Sequence, residues 1–140
     1  CTLHREPEFA RAGWAAVEVD GEGRARASVS GPVWCGLPQT SQAAEHCGRT
    51  AAVELLTGPT VLYGDCKSVV DMASRPDTVA LQPHRKHAAA SRMARTAATN
   101  CFVTADVKVK AHVDPDSVHG RDRWLALGND AADKAAVTGR

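Results

Sequence analysis

Thr60-Val61-Leu62-Tyr63-Gly64-Asp65-Cys66 runs from a short apolar strand straight into a turn. Residues 60–63 read as the strand, and Gly64-Asp65 ends it abruptly. An acid at the carboxyl end of such a strand stands where α/β sheets habitually place their active sites. On the N-terminal side, Gly58-Pro59 stops a helix that Thr40 and Ser41 can cap and that runs to about Leu56. Its apolar stripe passes through Ala44, Cys47, Ala51 and Leu55, close to helical spacing. Further back, Ala12 to Val19 reads as a strand, and Asp20-Gly21 supplies a hairpin signal. Ala25, Ala27 and Val29 then fall on one face, with Arg24, Arg26 and Ser28 on the other. That alternation predicts an antiparallel pair with one face inward.

On the C-terminal side, Ser68 to Ala73 reads as a brief helix, followed by a linker carrying Pro76 and Pro83. Arg85 to Ala98 is rich in alanine and is expected to be helical, with Arg85, Arg92 and Arg95 along one side. Val103, Ala105, Val107 and Val109 alternate with Thr104, Asp106, Lys108 and Lys110, which makes a last strand. An irregular loop is expected from His112 to Leu127, before a final helix capped by Asn129 and running through Val137. The order is that of an α/β domain. A strand after a helical crossover is expected to lie parallel to an earlier partner, and nothing before the hairpin can be that partner. A strand is therefore expected to be missing upstream. The chain opens at Cys1 without a start methionine, which reads as a fragment or an excised domain.

Composition bounds the class. The 140 residues make one domain's worth, with 44% apolar and 24% charged residues, ordinary for a globular protein. No apolar run approaches the roughly 20 residues of a membrane span, and no signal-peptide pattern opens the chain. The five cysteines (Cys1, Cys35, Cys47, Cys66, Cys101) form no C-x-x-C pair. They read as reduced thiols of an intracellular protein, cytoplasmic or nuclear, and not as a zinc site or disulfide framework. The net charge is +1, but no acid occurs from Thr78 to Ala105 while Arg85, Lys86, Arg92 and Arg95 do. A local basic surface can bind phosphate on a chain that is near neutral as a whole.

Three acids remain that propensity does not explain. Glu45 lies early in its helix, one residue from the apolar stripe; Asp65 ends its strand; Asp133 sits inside an alanine-rich helix, where Asp is a poor helix former. Singly they read as a solvated helix charge, a turn former and an exposed charge. Together, in this element order, they resemble one known constellation. Gln39-Thr40-Ser41-Gln42-Ala43-Ala44-Glu45 resembles the helix opening of type 1 ribonucleases H, and Tyr63-Gly64-Asp65-Cys66 resembles their strand-end aspartate. Val109-Lys110-Ala111-His112 is similar to their last strand and mobile histidine. Gly128-Asn129-Asp130-Ala131-Ala132-Asp133-Lys134 resembles their closing Asn-x-x-x-Asp helix, and Ala12-Gly13-Trp14-Ala15 the start of their second strand. The resemblance spans nearly the whole chain, with its motifs in the family's order.

The resemblance implies a ribonuclease H-like α/β fold: a mixed five-stranded sheet ordered 3-2-1-4-5, flanked by helices, with its first, central strand missing from this chain. It implies a single domain over residues 1–140. The implied activity is metal-dependent endonucleolytic cleavage of the RNA strand of an RNA–DNA hybrid. Crowded carboxylates cannot all stay ionised unless cations compensate them. In the family two Mg²⁺ ions do so, about 3.5–4 Å apart, activating the attacking water and stabilising the leaving 3′ oxygen. Glu45, Asp65 and Asp133 are the implied metal ligands, with Mn²⁺ an open alternative to Mg²⁺. His112 is the implied assistant to proton transfer or product release. Gln42 matches a position that senses the ribose 2′-OH in the minor groove, with Ser41 and Thr40 adding phosphate or sugar contacts or simply capping the helix. Arg85, Arg92 and Arg95 fit a phosphate-binding face or a solvated helix face. Trp14 and Trp34 read as packing residues.

The family's first aspartate, at a strand end just before the position of Cys1, is not in the chain, which implies that residues 1–140 alone are inactive. Cys66 and Lys67 replace the usual serine and polar amide, and the loop from Val113 to Leu127 is longer than in compact members. That loop and the alanine-rich style resemble a retroelement domain attached to a reverse transcriptase in the same polypeptide. Two rival readings follow: a catalytically inactive relative that keeps the fold and binds hybrid or a partner protein, and a DNA-cutting integrase or resolvase.

Overall fold

A computed structural model of the chain describes residues 12–100 and 102–139. In order these form β1 (Gly13–Val19), β2 (Ala25–Pro32), α1 (Ser41–Leu55), β3 (Thr60–Gly64), α2 (Lys67–Ser74), α3 (Asp77–Ala80), α4 (Ala88–Ala97), β4 (Val103–Lys108) and α5 (Gly120–Thr138). β1 and β2 pair antiparallel, Ala16 opposite Val29, with a bulge at Glu18/Val19. The hairpin closes on Asp20, whose carboxylate accepts from the N–H groups of Glu22 and Arg24. β3 and β4 pair parallel, Leu62 opposite Asp106 and Gly64 opposite Lys108. Parallel strands need a crossover, and α2, α3 and α4 supply it.

Among the described residues β1 and β3 are not paired, so the strands form two separate two-stranded sheets. The mixed α/β fold expected from the sequence is present as an antiparallel and a parallel pair. The described residues hold no fifth strand to join them.

α1 lies directly on β1. A Cβ on Gly48 would come within 2.9 Å of the Ala15 carbonyl oxygen, so glycine permits the approach. Ala12, Val33, Ala43, Ala44 and Cys47 are buried together beneath this contact, with Trp14, Trp34 and Leu37 packed against them. Both tryptophans are thus packing residues, as expected, and the Trp14 indole N–H donates to the Pro32 carbonyl at 2.8 Å. The core is made of small side chains; its largest fully buried ones are Val53, Thr50 and Cys47. Small side chains bury little area each, so polar ties carry more of the specificity. The principal tie joins α1 to β4: Arg49 Nε and Nη2 donate to the two Asp106 carboxylate oxygens at 2.8 and 2.9 Å. Both side chains are only 15% exposed.

Four expectations need correction. The last helix starts at Gly120 and not at Asn129, which lies inside it. The reason is tertiary: α5 packs on the hairpin, the Trp124 indole N–H donating to the Asp20 carbonyl at 2.7 Å while Trp124 and Leu127 close over Gly23. The irregular segment before it is correspondingly shorter. α4 starts at Ala88 and not at Arg85, because a turn closed by Ala88 N–H on the Arg85 carbonyl precedes it. The linker after α2 contains α3. Ala25 and Ala27 are exposed and do not face inward; among the described residues β2 pairs with β1 alone.

Cys35, Cys47 and Cys66 are free thiols; Cys1 and Cys101 lie outside the described residues. No described helix is long and apolar enough to cross a membrane.

Candidate active site

The three unexplained acids come from three elements. Thr40 caps α1, its hydroxyl accepting from the Ala43 N–H at 3.2 Å, which sets the first turns that carry Glu45. Asp65 follows β3 directly, half-buried between the strand end and α2. Asp133 projects from α5 with its side chain half exposed.

Their charges act on one another. The Glu45 carboxyl is pushed up to about 7, first by the protein packed around it and then by the charges of Asp65 and Asp133. Glu45 keeps a side open to solvent, so the protein crowds it without sealing it, and the like charges are the firmer cause. The Asp133 carboxyl is raised by burial and then by Asp65, with Asp130 adding and His112 opposing. Asp65 is therefore the shared neighbour of the other two. His112 follows β4 in a left-handed backbone conformation, φ 51°, which is uncommon outside glycine and recurs at functional sites. Its Nδ1 lies 3.5 Å from Asp133 Oδ2, close enough for an ion pair when the ring is protonated.

A donor set of three carboxylates suits a hard divalent cation, and raised carboxyl groups are the condition such a cation relieves. Among the described residues, however, no three His, Cys, Asp or Glu side chains stand close enough to hold one ion jointly. The residues fit a metal by chemistry, at separations wider than joint coordination needs.

The substrate-facing positions are more varied. Gln42 is held at both ends of its amide: Nε2 donates to Ser68 Oγ at 2.8 Å, and Oε1 lies 3.1 Å from His87 Nε2. Ser41 is exposed at the first residue of α1. The three arginines do not form one row. Arg85 precedes α4 and donates to the Val79 carbonyl. Arg95 turns onto the α2–α3 junction, pairing with Asp77 at 2.5 Å and donating to the Met72 and Arg75 carbonyls. Arg92 is exposed on α4.

Sequence reading missed His87 and Ser68, which flank Gln42, and Arg49, which ties α1 to β4. It also missed the contact between Trp124 and Tyr63, whose rings meet edge-on at 5.3 Å near the end of β3. Nothing in their spacing marks them, because each partner lies far away in the chain.

The element order and the antiparallel and parallel strand pairs, with helices packed on them, make a mixed α/β fold. Among solved structures the chain is similar to the crystal structure of prototype foamy virus protease-reverse transcriptase in its native form. The TM-score is 0.64 and the identity 17%, over 92% of this chain and 20% of that one. At that identity the likeness concerns the fold, and this chain spans about a fifth of that chain's length. No family model and no curated protein matches the chain.

Proposed function

We propose that this chain is a metal-dependent endonuclease domain that hydrolyses the RNA strand of RNA–DNA hybrids, within a polypeptide that also carries a reverse transcriptase. The observation that carries the reading is that three acids from separate elements share one field: Asp65 raises the Glu45 and Asp133 carboxyls, and Asp133 raises that of Glu45. Its support for a reverse transcriptase context is the fold likeness to a protein whose name includes that activity.

Glu45, Asp65 and Asp133 would hold the cations, Mg²⁺ or Mn²⁺. When bound, the metal supplies a Lewis acid for the attacking water and the leaving oxygen. His112, beside Asp133, carries a proton to the departing 3′ oxygen or eases product release. Gln42 senses the ribose 2′-OH in the minor groove, and Ser41 and Arg92 contact the sugar-phosphate backbone. Thr40 acts through the helix start it caps.

A second reading has its own observation: the acids are not within joint ligating reach among the described residues, which favours a module that binds hybrid without cutting it. One experiment separates them. The full polypeptide that carries this domain is incubated with labelled hybrid, duplex DNA and single-stranded RNA, with Mg²⁺, with Mn²⁺ and with chelator. The proposal expects metal-dependent loss of the RNA strand of the hybrid, abolished in Asp65→Asn and Asp133→Asn. Hybrid binding without cleavage supports the second reading, and preferential cutting of duplex DNA removes both.

A further inference from the structure

Gln42 sits where three elements meet. Its own helix α1, Ser68 at the start of α2 and His87 just ahead of α4 converge on one amide group. A glutamine amide has one acceptor end and one donor end that differ only in where its hydrogens lie, so its neighbours decide which end faces which way. Ser68 decides nothing, because a hydroxyl can donate or accept. His87 does decide. Its ring is 7% exposed, and its Nδ1 has no partner among the described residues.

Two arrangements are possible. If His87 carries its proton on Nε2, that N–H donates to Gln42 Oε1 and Nδ1 is left as a bare lone pair. If the proton sits on Nδ1, the amide must flip, and a buried N–H is left without any acceptor. Orphaned buried N–H groups are rarer in folded proteins than under-satisfied acceptors, so the first arrangement wins. A third, doubly protonated ring is disfavoured by burial and then by the Lys86 charge, both of which lower the His87 pKa. The His46 ring, 4.9 Å away, is itself held neutral, its pKa pushed down to about 4.

We infer that His87 is a positioning residue that locks the Gln42 amide with its oxygen turned to the buried imidazole, so that Gln42 meets a hybrid as a hydrogen-bond donor. One Gln42 amide hydrogen goes to Ser68 Oγ, and the other is the donor left for substrate. The role in substrate reading rests on the function proposed above; the lock itself does not. A donor at this place favours an acceptor on the minor-groove edge or the lone pair of a 2′-hydroxyl, and discriminates against a strand that lacks it.

The test uses isotope-labelled protein and two variants. Long-range proton–nitrogen NMR correlations are expected to show His87 protonated on Nε2 alone, and the Gln42 side-chain amide signals are expected to move in His87→Leu. In parallel, the preference for hybrid over duplex DNA, which lacks the 2′-hydroxyl, is expected to fall about fivefold in His87→Leu, the net weight of one neutral hydrogen bond. It should return in His87→Gln, whose amide N–H can reach the same oxygen. A proton on Nδ1, or unmoved Gln42 signals in folded His87→Leu, overturns the lock. A His87→Leu protein that is less stable but keeps the wild-type preference overturns the role in reading. If the wild-type protein leaves hybrid intact, the proposed function falls while the NMR signals still decide the lock.

Discussion

Replacing Glu45 by glutamine removes the charge that its surroundings oppose while keeping the shape of the side chain. The folded-state carboxyl is raised from 4.5 to about 7. A raised acid is protonated in the folded chain where the unfolded chain has already released its proton. Stability is therefore lost as pH climbs from about 4.5 to 7, and the full loss persists above that. Taken at face value the rise corresponds to about 3 kcal/mol. Glu45 is open to solvent, and screening cuts that to about 1–2 kcal/mol. At pH 8 in chelator, Glu45→Gln should thus be more stable than the wild type by about 1–2 kcal/mol, a rise in melting temperature of roughly 3–8 °C for a domain of this size. Near pH 4 the two proteins should melt together, because both carry a neutral group. Millimolar Mg²⁺ should lift the wild type more than the variant, since the variant has lost one of the repelling charges. Thermal melts by circular dichroism from pH 4 to 8, with chelator and with Mg²⁺, measure all three. Equal pH profiles for the two proteins, or a less stable Glu45→Gln at pH 8, would refute the premise that the acids crowd one another.

Arg49→Met leaves the Asp106 charge without its partner at 15% exposure and should destabilise by about 3 kcal/mol, whereas the pair Arg49→Met with Asp106→Leu should recover most of that loss in denaturant titrations. Gly48→Ala drives a methyl to within 2.9 Å of the Ala15 carbonyl and should cost about 1–3 kcal/mol by the same measurement; a neutral result would mean that α1 does not lie so close on β1. His112→Ala removes the group that opposes the rise of Asp133, so the Asp133 carboxyl should titrate at higher pH by NMR while hybrid affinity stays unchanged and cleavage slows.

The element order was legible in the sequence because it rests on local signals. Asp20-Gly21 turns the hairpin, Thr40 caps α1, and Gly64-Asp65 ends β3, each within a few residues of the feature it sets. The three acids could be singled out for the same reason: each breaks a local expectation. Helix ends were read less well wherever burial overrode propensity. Asn129 looked like a cap, yet α5 continues nine residues upstream of it to Gly120 because Trp124 and Leu127 have the hairpin to pack against.

What the sequence by itself determined is the alternation of strands and helices, and which side chains could carry chemistry. Periodicity, turns and caps act between near neighbours, so they survive in the linear string. What only the tertiary structure decided is which of those side chains share an electric field and which are held by others. Asp65 acts on both Glu45 and Asp133, His112 leans on Asp133, and His87 reaches Gln42 across 45 residues. Coulombic and hydrogen-bonding forces depend on distance through space, and the fold alone converts separation along the chain into that distance.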